Sequence, residues 1–354
     1  MTEPTIWAVD LFCGAGGLSY GLQQSGVTVL AGVDLDSSCK YPFESNVDAA
    51  FIESDVRNVS AEMLVQLWPD DGIRLLAGCA PCQPFSPYRR GGDAMSDERW
   101  PLLDEFGRLV KTTLPELVTM ENVPRLANAT VFKRFVRTLK RAGYYVDARI
   151  CYGPRFGLPQ ERRRLVLLAS SMGPIEVPTG SESMLKRATV RRAIGKLPPL
   201  KAGASDATDT LHVSRALVDL NLRRIRASRP GGTWQDWPEE LRAPCHRRAS
   251  GASFKNVYAR MEWDKPSPTI TTLAHNFGTG RFGHPDQDRP ISLREAALLQ
   301  GFPKNYRFVR KGAPVHFTRL GRLIGNAVPP PLGAAIGTTL AEHVAHYRGE
   351  GADA

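Results

Sequence analysis

The sequence has few cysteines for its length and no long hydrophobic run, and each shortage excludes a class of protein. Six cysteines at irregular positions in 354 residues argue against a disulfide framework, and they favour a reducing compartment. No apolar run approaches the roughly 20 residues that a membrane helix needs. The N-terminus has no basic, apolar leader, so we expect no signal peptide. These shortages predict a cytoplasmic protein without a membrane partner.

Metal-ligand patterns are also scarce. Cys79 and Cys82 form one C-x-x-C pair, but no second pair and no spaced histidines complete a zinc site. Pro81 and Pro84 bracket Cys82, which favours a loop over the helix start that a thioredoxin-like redox pair needs. We therefore expect no metal.

Positive charge is concentrated in one segment. The net charge is +10, and residues 186–260 alone contain 16 basic and 6 acidic residues. A basic block in an otherwise neutral chain predicts a face that binds a polyanion. Nucleic acid is favoured over a membrane surface because no amphipathic apolar stripe accompanies the block. A solvated basic surface without a partner is the alternative.

Short apolar runs alternate with amphipathic stretches over the first 170 residues. This alternation predicts βαβ units and the α/β fold class, with a doubly wound, mostly parallel sheet. Periodicity then weakens to about Pro268. We expect a catalytic domain in residues 1–172, a smaller irregular domain in 173–290, and a return to the first domain in 291–354. The expected strands are 6–12, 27–33, 50–53, 74–77, 117–120, 144–150 and 164–169; the expected helices are 18–25, 37–45, 60–68, 102–113, 131–142, 292–301 and 332–347.

Polar residues follow the ends of several expected strands, where doubly wound sheets bind ligands. The stretch Asp10–Gly17 is a glycine-rich turn that lets the backbone approach a ligand at a helix N-terminus, although it is neither G-x-G-x-x-G nor a P-loop. Asp34 could accept from ribose hydroxyls, and Asp55 could read an adenine amine. Together they predict a nucleoside site; a tight turn and helix caps are the alternatives.

The same sheet edge is expected to carry a thiol and a carboxyl. Cys82 follows the fourth strand and Glu121 follows the fifth. A thiol becomes a nucleophile where its surroundings favour the thiolate, and a partly desolvated glutamate can keep a proton to donate. A buried structural cysteine and a glutamate that caps Asn122 are the alternatives. The polar segment from Gln83 to about Trp100 predicts a mobile loop that closes over substrate, or a disordered surface loop.

Six blocks of sequence, in order, resemble the motifs of DNA (cytosine-5) methyltransferases. The resemblance spans residues 6 to about 340 and implies a Rossmann-like sheet of the AdoMet-dependent kind. It also implies a variable target-recognition domain between Arg164 and Ser292, which coincides with the basic segment. The implied enzyme is sequence-specific and of the bacterial restriction-modification type. The blocks are Asp10–Gly17, Pro81–Gln83, Glu121–Val123, Gln160–Arg164, Arg294–Glu295 with Gln300–Pro303, and Gly325–Pro330.

The resemblance assigns the chemistry to four residues. Cys82 would attack C6 of a cytosine flipped out of the duplex, and Glu121 would protonate or hydrogen-bond N3. Arg162 would hold O2, and Arg164 would support its loop. C5 would then take the methyl of S-adenosylmethionine (AdoMet), leaving S-adenosylhomocysteine, and loss of the C5 proton with departure of the thiolate would restore the ring. The chemistry itself agrees, because C5 is a poor nucleophile until a thiolate adds at C6.

The resemblance also implies a cofactor pocket and no metal. Asp34 stands where the family often has the longer glutamate, and Cys13 stands where a small residue such as alanine is frequent. Neither departure removes a functional group that the pocket needs. The implied pocket residues are Asp10, Phe12, Gly14, Gly17, Asp34, Leu35, Asp55, Val56, Asn326 and Val328.

Double-stranded DNA is the implied partner, with a cognate restriction endonuclease acting separately. We expect a monomer in the cytoplasm, associated with the nucleoid. Arginines can anchor phosphates and read guanine; we expect most to be phosphate contacts or solvated surface, and one or two to read bases. The candidate DNA-binding residues are Gln83, Ser86, Arg89, Arg90, Asn122, Arg223, Arg224, Arg226, Arg229, Arg247 and Arg248.

Two other functions remain open from the sequence. An RNA (tRNA) cytosine-5 methyltransferase would use the same scaffold, but those relatives tend to carry a Cys-Phe-Thr signature that is absent here. A non-catalytic, DNA-binding regulatory homologue predicts missing catalytic residues, yet Cys82, Glu121 and Arg162 are all present.

Overall fold

The computed structural model describes residues 5–81, 101–248, 251 and 255–349. These form two compact units. The first comprises Met1–Tyr152, Arg163–Gly180 and Val328–Ala354, and the second comprises Gly153–Arg162 and Ser181–Ala327.

The bounds of the units differ from the three segments expected from the sequence. Residues 153–162 and 291–327 cluster with the basic segment rather than with the sheet. Hydrogen bonds inside the second unit explain this grouping: the Gln160 side chain donates to the carbonyl of Leu299 at 3.1 Å and to the side chain of Gln300 at 2.8 Å. The roles expected for the three segments stay predictions.

A seven-stranded sheet forms the centre of the first unit, and it confirms the α/β, doubly wound fold. Its order is β3-β2-β1-β4-β5-β7-β6, with β1 to β5 parallel and β7 antiparallel to both of its neighbours. The order reverses between β1 and β4, which is where such sheets form a ligand crevice. The strands are β1 Ile6–Leu11, β2 Thr28–Asp34, β3 Ala50–Glu53, β4 Ile73–Gly78, β5 Leu117–Asn122, β6 Tyr145–Tyr152 and β7 Arg163–Ser170.

Helices connect and cover these strands, and further helices occur in the second unit. The central strands read as nearly continuous apolar runs because both faces of the sheet are covered. The helices are α1 Gly17–Gln24, α2 Lys40–Glu44, α3 Ala61–Leu67, α4 Pro101–Thr113, α5 Thr130–Arg141, α6 Glu182–Leu185, α7 Val190–Ile194, α8 Asp219–Arg226, α9 Leu293–Leu299, α10 Phe317–Asn326 and α11 Pro330–Gly349.

The first unit closes by packing α11 against α1. Glycines permit this close approach, since a Cβ on Gly21 would lie 2.4 Å from the carbonyl oxygen of Pro330 and 2.7 Å from the amide nitrogen of Ala334. On the sheet, Phe106 of α4 and Phe135 of α5 pack with ring centroids 5.3 Å apart. The packing holds the end of β1, and with it the glycine turn, in a fixed place.

The second unit has its own core and a buried ion pair. Trp234, Trp237 and Phe277 are buried together. Both guanidinium Nη atoms of Arg289 bind the Glu295 carboxylate, at 2.7 and 2.8 Å, and both side chains are essentially unexposed. The unit therefore has a defined interior despite its irregular backbone.

Candidate active site

The turn after β1 has an unusual backbone. Phe12 adopts φ 59, a left-handed conformation that non-glycine residues seldom adopt, and Gly14 and Gly16 also have positive φ, at 54 and 86. Gly16 caps α1, and Gly17 is its buried first residue. Left-handed residues at alternate positions before a helix N-terminus turn backbone amides toward one side, which suits a polar ligand.

Asp34 ties this turn to the end of β2. Its Oδ2 accepts from the amide of Gly14 at 2.9 Å, and its Oδ1 accepts from the amide of Asp36 at 2.9 Å. The neighbouring Leu35 is a large apolar side chain left 66% exposed. Asp34 therefore lies beside the glycine turn, while its contact with a ribose stays a prediction.

Asp55 follows β3 and is engaged by its neighbour Arg57. Its carboxylate accepts from the Arg57 amide at 2.9 Å and pairs with the guanidinium at 2.6 Å. These hydrogen bonds lower the pKa of Asp55. The carboxylate stays ionised and acts as a cap for the short turn that begins at the buried Val56.

Asp10 is the buried acid of this edge. Its Oδ2 accepts from the Ser19 hydroxyl at 2.6 Å, whereas among the described residues no group bonds its Oδ1. Burial raises the pKa of Asp10 to about 7, and the negative charge of Asp34 adds to the rise. The carboxyl is thus held on α1 through one oxygen, and its other oxygen is available to a polar or cationic group.

A second cluster lies where β4 and β5 end. Glu121 is 3% exposed and belongs to β5, so the expectation that it follows the strand was wrong. The strand ends two residues later than expected. The strand runs to Asn122 because its last residues pair with β7, where Glu121 lies opposite Val166. Because side chains alternate along a strand, Arg164, two residues from Val166, is on the same face as Glu121.

The Glu121 carboxyl is held by two side chains. The Nε of Arg164 is 2.8 Å from Oε1, an ion pair without hydrogen-bond geometry, so Oε1 has no hydrogen-bond donor among the described residues. The thiol of Cys79 donates to Oε2 at 3.0 Å. Oε2 is therefore fixed by the Cys79 thiol, while Oε1 faces Arg164 and can still accept a hydrogen bond.

Asn122 holds the start of the segment that leads to the expected nucleophile. Its buried amide donates to the carbonyl of Ala80 at 2.9 Å, and its side-chain oxygen accepts from the amide of Val123. This places the carboxyl end of β4 next to the end of β5. Cys82, and the DNA-binding candidates Gln83, Ser86, Arg89 and Arg90, lie outside the described residues.

Arg162 is engaged elsewhere. It is buried in the second unit, where its guanidinium donates to the carbonyls of Ile270 and Gly325, each at 3.1 Å. Asn326 is exposed at the end of α10 in that unit, and Val328 is buried in the first unit. Their expected places in the cofactor pocket stay predictions.

The arginines of the basic segment fall into two groups. Arg224 is 8% exposed and donates to the carbonyl of Leu241 at 2.8 Å, so it belongs to the interior of the second unit. The other five candidates of the segment are exposed, and some hold weak surface pairs, such as Arg226 with Asp288 at 3.2 Å. The exposed arginines are Arg223, Arg226, Arg229, Arg247 and Arg248.

Sequence reasoning missed two residues that the structure brings into the site. Cys79 was considered only as half of a metal or redox pair, yet it directly follows β4 and lies beside Glu121. Comparing the ends of the fourth and fifth strands could have revealed this contact. Ser19 gave no signal, because its bond to Asp10 depends on how the glycine turn folds α1 back on β1.

Within the described ranges, no cluster of three or more histidine, cysteine or acidic side chains could hold a metal ion. In that same part of the chain, no helix is both long and apolar enough to cross a membrane.

The chain is similar to known methyltransferases over nearly its whole length. A family model described as C-5 cytosine-specific DNA methylase matches residues 6–342. The type II methylase M.HgiDII of Herpetosiphon aurantiacus is 46% identical over 335 residues, which cover 94% of each chain. The type II methyltransferase M1.HphI of Haemophilus parahaemolyticus is 31% identical, over 93% of this chain and 84% of that protein. The solved structure of the Entamoeba histolytica methyltransferase EhMeth gives a TM-score of 0.67 at 16% identity, covering 97% of this chain and 99% of that chain, and so shares its fold.

Proposed function

This chain belongs to the C-5 cytosine-specific DNA methylase family and is a DNA cytosine-5 methyltransferase, and we propose that Glu121, Arg164 and Cys82 perform its chemistry. The observation that carries the proposal is the buried Glu121 carboxyl at the end of a central strand, held by Cys79 and Arg164 with one oxygen open to hydrogen bonding. Such a group can hold or deliver a proton at a fixed place, which is what activation of a cytosine at N3 requires.

Cys82 is our candidate nucleophile because of its place in the sequence. It lies three residues after Cys79, which directly follows β4. In the proposed reaction its thiolate adds to C6 while Glu121 neutralises N3, so that electron density reaches C5. The target atoms are hidden in the base stack, so the cytosine must first leave the duplex, at a cost of a few kcal/mol. Once C5 has taken the methyl group, loss of the C5 proton and departure of the Cys82 thiolate restore the aromatic ring.

We exchange the roles that the sequence suggested for the two arginines. Arg164 shares a unit with Glu121 and lies 2.8 Å from its carboxyl, so Arg164 is our candidate for the charge at the O2 side of the base. Arg162 binds backbone carbonyls of the second unit, and we assign it to holding its own segment in place.

A cationic methyl donor fits the acids at the ends of β1 and β2. The open Oδ1 of Asp10 and the nearby charge of Asp34 favour a positive ligand, whose charge would offset the cost of ionising the buried Asp10 carboxyl. AdoMet, when bound, supplies an electrophilic methyl on a positively charged sulfur. We propose that Asp10, Asp34 and the Phe12–Gly17 turn hold it, with Leu35, Asp55 and Val56 on the nucleoside side.

We propose that the exposed arginines of the second unit bind the DNA backbone. An arginine in a surface ion pair, such as Arg226 or Arg229, can exchange its carboxylate for a phosphate at little cost, because exposed pairs contribute at most about 1 kcal/mol. Arg224 is left out because its guanidinium is buried and bonded within the unit.

The names of the two relatives suggest a wider role. Both are called type II enzymes, and we propose that this chain is the modification partner of a separate restriction endonuclease and acts as a monomer on chromosomal DNA in the cytoplasm. Sedimentation of the purified chain with and without duplex DNA tests the monomer, since a protein mass of twice the chain would contradict it.

Methylation assays on site variants test the mechanism. We expect Cys82→Ala and Glu121→Gln to abolish or strongly reduce release of tritium from DNA that contains [5-³H]cytosine, while binding of DNA is retained. Cys245→Ala, which removes an exposed thiol, is the control. Substantial turnover by Cys82→Ala would refute the nucleophile. Bisulfite sequencing of DNA from cells that express the wild-type chain identifies the methylated base and its context.

A further inference from the structure

Cys79 is placed beside the proposed acid by the pairing of two strands. In the parallel pair β4–β5, Gly78 lies opposite Met120, so the next residues of the two segments, Cys79 and Glu121, run alongside each other. The Cys79 amide is fixed by a bond to the carbonyl of Leu11 at 3.2 Å. The position of the thiol is therefore set by the sheet.

The direction of the bond follows from the chemistry of the two groups. A carboxylate can only accept, so the thiol 3.0 Å from Oε2 is the donor. A thiolate at this distance would repel a carboxylate, so the bond requires a thiol that carries its hydrogen. Cys79 is thus unlike a nucleophilic cysteine, which must lose its proton to react.

The two Glu121 oxygens have different surroundings. Oε2 has the thiol as its donor, whereas Oε1 has the charge of Arg164 at 2.8 Å but no hydrogen-bond donor within the described chain. A carboxyl rotates easily about its terminal torsion unless a partner fixes it. A bond to one oxygen selects which oxygen is presented to a substrate.

We propose that Cys79 is a positioning residue for the methyl-transfer reaction: its thiol anchors Oε2 of Glu121 so that Oε1 is the oxygen presented to the cytosine ring. This inference rests on the proposed role of Glu121. It gives the two cysteines of the C-x-x-C pair separate tasks, since one would add to the base and the other would orient the acid.

Variants of the full chain distinguish a role of Cys79 as a hydrogen-bond donor from a role in packing alone. Cys79→Ser keeps a donor, whereas Cys79→Ala and Cys79→Val remove it, and the valine also fills the space if the alanine variant folds poorly. We expect about a tenfold loss of kcat for the alanine and valine variants, in tritium release from [5-³H]cytosine DNA, with KM for DNA within about twofold of wild type. The serine variant should recover most of kcat. Cys245→Ala is the matched thiol control.

The pH dependence of kcat gives a second readout that a structural role would not move. Both donor-free variants should shift the profile relative to wild type, and the serine variant should not. Wild-type kcat in the alanine and valine variants, or equal losses in all three, overturns the inference. Full activity of Glu121→Gln, measured beside them, would instead remove the proposed role of Glu121 on which the inference rests.

Discussion

Replacing Asp10 by asparagine should stabilise the protein above neutral pH. The substitution keeps the shape and the oxygen that accepts from Ser19, but it removes a carboxyl that is unfavourable when ionised. The pKa of Asp10 is about 7 in the folded protein against 3.8 for the free group. The folded state therefore binds more protons between these values, and the stability of the wild type falls as pH rises through this range.

The magnitude follows from the size of the shift. At roughly 1.4 kcal/mol per pKa unit, the raised pKa of Asp10 lowers the free energy of unfolding by about 4 kcal/mol at pH 8 and by between about 1 and 2 kcal/mol at pH 5. Asp10→Asn removes this penalty, so its advantage over wild type should grow by between about 2 and 3 kcal/mol from pH 5 to pH 8.

Urea unfolding, followed by circular dichroism at both pH values, measures the effect. Asp55→Asn is the matched control: the pKa of Asp55 is lowered by Arg57, so this carboxyl is ionised at both pH values and its substitution should show no pH trend. An Asp10→Asn advantage of the same size at pH 5 and pH 8 would show that burial does not hold a proton on Asp10, and the reasoning fails.

Three further predictions concern packing, a buried charge and the DNA face. Gly21→Ala should cost between about 1 and 3 kcal/mol of unfolding free energy, because its Cβ would meet the Pro330 carbonyl at 2.4 Å. Glu295→Gln should cost between about 3 and 5 kcal/mol, because it leaves buried Arg289 without its carboxylate; urea unfolding measures both losses. Arg223→Ala should weaken DNA binding and lower the slope of log K against log salt by about 1, measured by fluorescence anisotropy.

The two stability predictions have matched controls. Gly107→Ala, where the nearest atom would be 3.3 Å away, should cost little or stabilise α4, and an equal loss would contradict the packing argument for Gly21. Asp264→Asn breaks an exposed pair and should cost less than about 1 kcal/mol. An unchanged salt slope in Arg223→Ala would remove that arginine from the DNA face.

The sheet could be predicted from the sequence because its signal is local. Buried strands read as apolar runs, and the glycine turn marks the step from β1 into α1, so the main error was in the ends of strands. β5 extends to Asn122 because of its pairing with β7, and a contact between segments more than 40 residues apart leaves no trace in either segment alone.

The second unit was harder to predict because packing rather than periodicity specifies it. α8 and α10 were not expected, and the buried Arg224 was grouped with the DNA-binding arginines. Its guanidinium lies over the rings of Trp237 and Tyr258, so the desolvation cost of burying its charge is offset by partners that are far apart in the sequence. Charge alone does not distinguish such an arginine from one on the surface.

The chain passes between the two units four times, after Tyr152, Arg162, Gly180 and Ala327. A graft that exchanges only residues 181–327 between relatives would thus leave the ten-residue excursion 153–162 in the recipient. Gln160 and Arg162 of that excursion would then have to bond to foreign carbonyls and amides. Chimeras that exchange the second unit should therefore transplant both pieces together, and hybrids that carry the long piece alone should be less thermally stable than hybrids that carry both.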